Sequence, residues 1–111
     1  MRYLLLISAD EERAARAMAG GAFDGFSGWL DDLRARGVLE VHAGLHPSPT
    51  ATTVRVRDDE VLLTDGPFIE GREQIGGLAL IDCAGLEEAI AIAAGHPAAA
   101  IGQVEIRPVR S

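Results

Sequence analysis

"TTVRVRDDEVLLTDGPFIEGREQIGGLALIDC" (residues 52–83) is the stretch whose reading decides the fold. It holds two alternating runs, "TTVRVR" and "EVLLT", on either side of Asp58-Asp59. A short polar connection between two such runs predicts a β-hairpin. Side chains alternate along a strand, so Val54 and Val56 are expected to face a core, with Arg55 and Arg57 opposite. Further on, "GGLALIDC" (76–83) reads as another strand. Between them, "TDGPFIEGREQ" (64–74) packs an Asp, two Glu and an Arg around two Gly and a Pro. That passage is either a turn joining strands or the wall of a site.

Outward from this stretch, "RYLLLIS" (2–8) reads as a central strand buried on both faces. "VLEVHAGL" (38–45) is a second strand, and "HPSPT" (46–50) a loop, because its two prolines break pairing. "QVEIRPV" (103–109) alternates and closes the chain as the last strand. "AFDGFSGWLDDLRARG" (22–37) is an amphipathic helix with Phe23, Phe26, Leu30 and Leu33 on one face. Gly37 stands where a left-handed cap is expected, after two arginines that suit the negative helix end. Gly25 and Gly28 each cost a helix about 1 kcal/mol relative to alanine, so either its start is frayed or something packs close there. "GLEEAIAIAAGH" (85–96) is a second helix, with Leu86, Ala89, Ile90 and Ala93 as its face and Gly95 as its stop. Residues 10–20, polar and alanine-rich, form a short helix or a mobile loop.

The order is strand, helix, strand, hairpin, strand, helix, strand. It predicts one α+β domain over residues 1–111. The plan is ferredoxin-like, βαβ-βαβ, with an antiparallel sheet, an inserted β-hairpin and two helices on one face.

Composition narrows the function classes. Ten basic and seventeen acidic residues give a net charge of −7. Such a chain repels phosphate backbones and has no basic patch with interleaved aromatics, so nucleic acid is not an expected partner. The single cysteine, Cys83, leaves no intrachain disulfide and no zinc spacing; it reads as a small buried residue. No apolar run approaches the roughly 20 residues of a membrane span, and no targeting segment is visible, so the expected location is the cytoplasm. There is no G-x-S-x-G elbow, no phosphate-binding glycine loop and no redox-cofactor signature. Cofactor-free acid/base chemistry, or binding alone, is left.

The segment "TDGPFIEGREQIGG", taken with "MRYLLLI" at the start, "TTVR" before it and "VEIRPV" at the end, resembles the YCII-related family in its DGPF branch. The resemblance implies a ferredoxin-like domain that dimerises through its sheet, in the manner of dimeric α/β-barrel proteins, so a homodimer is expected. It also implies, from the wider family, elimination or dehalogenation of small ring metabolites, with a His–Asp pair suggested as the site. A link to extracytoplasmic-function sigma factors is known for the branch. Against the common pattern "TDGPFAETKEQ", Ile69, Gly71 and Arg72 stand for Ala, Thr and Lys. The positive charge stays, one hydroxyl is lost, and arginine adds a planar fork.

The candidate catalytic residues are His46 and Asp65. Histidine has an ordinary pKa suited to proton transfer near neutrality, and His46 stands at a strand exit. Asp65 is either an acceptor in an Asp-Gly-Pro turn or a general base. The candidate substrate-binding residues are Arg55, Phe68, Glu70 and Arg72. Arg55 would either pair with Asp65 or Glu70 across the hairpin or reach into a cleft. Phe68 anchors a core or lines a pocket. Glu70, Arg72 and Glu73 form a solvated loop, or Arg72 holds a carboxylate or enolate while a Glu moves protons. His42 and His46 stand about 13 Å apart along a strand, too far to share a metal, so no metal site is expected. His96 is read as favouring the negative end of the second helix, and Trp29 as core or interface. The expected function is binding of a small anionic or carbonyl-bearing metabolite, with lyase- or isomerase-type chemistry. The alternative is a non-catalytic module binding a ligand or a protein, linked to sigma-factor regulation.

Overall fold

The apolar run near the start forms β1 (Arg2–Asp10) in the computed structural model, which describes residues 1–110. After it come α1 (Glu11–Ala19), α2 (Phe26–Ala35), β2 (Leu39–Gly44), β3 (Thr52–Arg57), β4 (Glu60–Asp65), β5 (Glu73–Asp82), α3 (Leu86–Ala94) and β6 (Gln103–Pro108). Two 3-10 turns, Ser48–Thr50 and Pro97–Ala100, complete the order. Four strands form an antiparallel sheet in the order β2-β5-β1-β6. The order is compatible with a ferredoxin-like fold. The described residues hold three helices rather than two. α1 is the addition: the ambiguous segment 10–20 is helical because Asp10 accepts the Arg13 N–H at 3.0 Å as an N-cap, and Glu11 and Glu12 suit the positive first turn.

One sheet face carries the core. Tyr3, Leu5 and Ile7 of β1 and Ala79 and Ile81 of β5 are buried. Most of them pack with Leu33 of α2 and Ala89, Ile92 and Ala93 of α3. Leu5, Leu33 and Ile81 are the largest fully buried side chains, each contributing about 1.5–3 kcal/mol by leaving water. Cys83 is buried at the edge of this cluster. The opposite face corrects the expectation of a doubly buried β1, because Leu4 and Leu6, like Leu78 and Leu80 beside them, are only half-buried.

α2 ends as its sequence predicts. Gly37 has φ +68°, its N–H reaches the Arg34 carbonyl, and the Val38 N–H reaches the Leu33 carbonyl. This is a Schellman closure, with Leu33 and Val38 both in the core. The glycines at its start mark no close packing, since a methyl group at Gly25 or Gly28 would meet nothing within 4 Å.

α3 buries part of the expected stripe, with Ile92 in place of Leu86 and Ile90. Ala89, Ile92 and Ala93 face inward, while Leu86 and Ile90 are about half exposed. Arg36 bonds both Asp32 and Glu88 at 3.0 Å, joining the end of α2 to the start of α3.

The hairpin forms as predicted but does not pack as predicted. β3 and β4 pair from Thr52↔Asp65 to Arg57↔Glu60 and make a separate two-stranded sheet. Asp58 and Asp59 have φ of 50° and 63°, the left-handed pair of a type I′ turn. Val54 and Val56 face no core; they are 59% and 58% exposed. Arg55 lies opposite Leu62 rather than Asp65 or Glu70.

Candidate functional site

Between α1, α2 and one end of the sheet lies a cavity of about 600 Å³. Gly44 of β2 pairs with Gly77 of β5, and both line the cavity together with Gly76. These three residues bring only backbone to the lining, and at Gly44 and Gly76 a methyl group would meet nothing within 4 Å. At Gly77 a methyl group would come within 3.2 Å of the Ala43 carbonyl oxygen. Ile7, Ala14, Met18, Phe23 and Phe26 make the walls largely apolar, and His42, His46 and His96 bring polar nitrogen to it.

The three histidines differ. His46, exposed, follows β2 at the rim, and His42 is half-buried within β2. His96 is 5% exposed, at the turn after α3. It sits in an aromatic nest: ring centroids lie 4.8 Å from Trp29, 5.2 Å from Phe26 and 6.2 Å from Phe23. Phe26 also meets His42 at 5.2 Å. The His96 Nδ1 accepts the Ala98 N–H at 2.9 Å. Burial, with a smaller effect of the nearby His42, pushes the His96 pKa down to about 4. His96 is therefore neutral at neutral pH and does not act as a positive group at the helix end, contrary to the reading from sequence. The nest could not be seen in advance, since Phe23, Phe26 and Trp29 lie far from His96 in the chain; the one signal was that three of the chain's few aromatics fall within one helical stretch.

Glu11 is the one acidic residue at the cavity wall. Its carboxylate accepts the Ser48 N–H at 2.7 Å and the Ser48 hydroxyl, tying α1 to the 3-10 turn after His46. Both oxygens are thus engaged.

Of the candidate catalytic and substrate-binding residues named from the sequence, His46 lines the cavity; Asp65, Arg55, Phe68, Glu70 and Arg72 do not. Asp65 ends β4 in an exposed position, beside Gly66, whose carbonyl accepts the Thr53 hydroxyl. Phe68 is 73% exposed, so within one chain it is neither a core anchor nor part of this wall. Glu70 is exposed on the same loop. Arg72 borders a second hollow of about 290 Å³ with Asp10, Glu11, Glu12 and Gly71. The Asp10 carboxyl lies below its ordinary range, first through the Arg13 N–H at the helix cap, with Arg72 and Arg16 adding smaller attractions. Gly71 has φ +139°, a backbone that a threonine rarely adopts, which accounts for glycine there. The Gln74 side-chain amide donates to the carbonyls of Ile69 (3.0 Å) and Gly71 (2.9 Å) and also lines the main cavity. It therefore clamps the loop after the Asp-Gly-Pro turn to the cavity wall. Among the described residues no group of three or more His, Cys, Asp or Glu side chains is gathered as a metal ion would require, and no helix is long and apolar enough to cross a membrane.

Residues 1–111 match the YCII-related domain. An uncharacterized protein of Rhizobium meliloti (strain 1021) is 41% identical over 75 residues, which cover 66% of this chain and 60% of that protein.

Proposed function

The chain belongs to the YCII-related family, and from that premise we propose that it binds a small carbonyl-bearing metabolite in the 600 Å³ cavity and performs cofactor-free acid/base chemistry there, of lyase or isomerase type. The observation that carries the reading is a largely apolar cavity with histidine nitrogens at its wall and rim. Apolar walls hold the body of the ligand. His46, at the rim, exchanges protons with solvent, and His42 stands deeper, within β2. A histidine there takes a proton from the carbon next to a carbonyl and leaves an enolate, the opening step shared by isomerisation and elimination; with no leaving group to expel, the enolate takes a solvent proton back at the same carbon. Asp65 then serves the turn that "DGP" builds. The "TDGPF" segment is the reason to assign the chain to the DGPF branch.

Exchange in D2O tests this without knowing the metabolite. The protein is expected to accelerate deuteration next to the carbonyl of cyclohexanone and acetophenone, read by proton NMR. His46→Ala is expected to lower the rate by about a hundredfold, the low end for loss of a general base. Met18→Trp, at an exposed position on the cavity wall, should plug the entrance and remove the acceleration. Rates no higher than in buffer, or unchanged in His46→Ala and His42→Ala alike, would overturn the chemistry.

A homodimer belongs to the same proposal. Val54, Val56, Val61, Leu63 and Phe68 are each more than half exposed on the hairpin and the loop after it. The second sheet face is half open, and the chain measures 47 × 39 × 18 Å. Its radius of gyration is 15.7 Å, against about 13 Å for a compact domain of this length. Such unpartnered apolar surface supports an interaction site there. Light scattering at micromolar concentration is expected to give twice the chain mass; a mass of 11.7 kDa would refute the dimer.

A further inference from the structure

We propose that the cavity selects an uncharged carbonyl compound over a carboxylate, with the Nε2–H of His96 donating the hydrogen bond that holds the carbonyl oxygen. The inference rests on the cavity being a ligand site, as proposed above, and names what the site accepts.

The tautomer follows from one contact. The Nδ1 of His96 accepts the Ala98 N–H, and a ring nitrogen that accepts carries no proton. A neutral imidazole must then keep its proton on Nε2. The ring cannot easily turn to exchange the two nitrogens, because Trp29, Phe26 and Phe23 hold it on its other sides. Nε2 has no hydrogen-bond partner among the described residues, yet no buried side-chain nitrogen or oxygen there is left unpartnered. The atom is therefore open, and the space that His96 borders is the cavity. Burial and the neighbouring His42 keep the ring uncharged. The site so presents a fixed, neutral donor in apolar surroundings.

A neutral donor suits a neutral acceptor. A carboxylate in the same place would need a counter-charge, because an ion taken from water into an apolar site must be paired. Among the described residues no lysine or arginine lines the cavity. Beside His96 its nitrogen-bearing side chains are His42, His46 and Gln74, none a permanent cation. Glu11 adds negative charge to the wall, and the chain carries −7 overall. Arg55 and Arg72, the sequence's candidates for an anion, lie elsewhere. Of the two ligand classes that the sequence left open, the surroundings of His96 favour the carbonyl.

Three probes of one shape separate the possibilities: acetophenone, benzoate and ethylbenzene, titrated into 15N-labelled protein at pH 7.5. Acetophenone is expected to shift the His96 Nε2 resonance and the amides around the cavity, and to bind at least tenfold more tightly than either of the others. His96→Asn keeps an oxygen for the Ala98 N–H, and its shorter amide N–H2 falls at the place of the ring's Cδ2, short of the Nε2 position, so it should bind acetophenone no better than ethylbenzene. Benzoate binding as tightly as acetophenone, a preference that survives in His96→Asn, or imidazole shifts placing the proton on Nδ1 would each overturn the inference and leave the cavity as a ligand site. Failure of all three probes to move cavity resonances would overturn both.

Discussion

Gly102→Ala is expected to lower the unfolding free energy by about 3 kcal/mol, the upper end for a side chain forced into filled space. Gly102 lies between the 3-10 turn after α3 and the first residue of β6, with its N–H on the Ala98 carbonyl at 2.8 Å. A methyl group there would come 2.2 Å from the Ser8 carbonyl oxygen and 2.8 Å from the Ala9 Cα. These are backbone atoms of β1, which cannot swing aside as a flexible side chain can. Relief requires β6 to draw away from β1, where Ser8↔Gln103 is the last pair of their register. In urea the midpoint should fall with little change in slope, as for a lost packing term in an unchanged fold. Gly28→Ala supplies the opposite sign. It removes a glycine from the first turn of α2 with open space around it and should gain up to about 1 kcal/mol. Equal midpoints for the two variants would refute the packing described at Gly102.

Acid is expected to weaken the fold earlier than carboxylate titration alone would. The His96 pKa is held at about 4 in the folded chain against 6.5 ordinarily. Between those values the unfolded chain binds a proton that the folded one refuses, so stability rises with pH across that window. It is complete above about pH 6.5 and is lost progressively as the pH falls to about 4, by up to about 3 kcal/mol for a shift of this size. Asp10 acts lower down: its depressed pKa gives stability that is present above the ordinary carboxylate range and lost as the pH falls through its own folded value. Urea midpoints at pH 7.5, 6, 5 and 4.5 for the parent and His96→Asn separate the two. The variant should lack the decline between pH 6.5 and 4.5 and keep the one below it. Parallel profiles would show that His96 is not held neutral in the fold.

Much of this architecture was legible because it is local. Alternation in 52–64 and 103–109 is a property of neighbouring residues, and so is the Schellman closure at Gly37. The face of α3 was legible only in part: Ala89 and Ala93 were read as buried, but "AIAIAA" is apolar nearly all round, so periodicity could not choose between Leu86 and Ile90 on one flank and Ile92 on the other. The order of Val and Arg in β3 located a strand, but alternation does not say that a core stands opposite; here both sides of the hairpin are exposed. The candidate site was harder still. His46, singled out from its strand-end position, lies on the cavity lining. The cavity, however, is lined at its sheet end by Gly44, Gly76 and Gly77, and absence of side chains leaves little pattern to read. His96 owes its character to aromatic rings brought from another helix, and only the fold juxtaposes them.

The single tryptophan gains a use from its position. Trp29 is pinned by its indole N–H to the Ile92 carbonyl at 2.9 Å, with its ring 4.8 Å from His96. An imidazolium quenches indole fluorescence on contact, whereas a neutral imidazole does so weakly. The protein thus carries an optical gauge of its own least visible proton: emission from one native fluorophore reports the charge of the buried ring, with no label added.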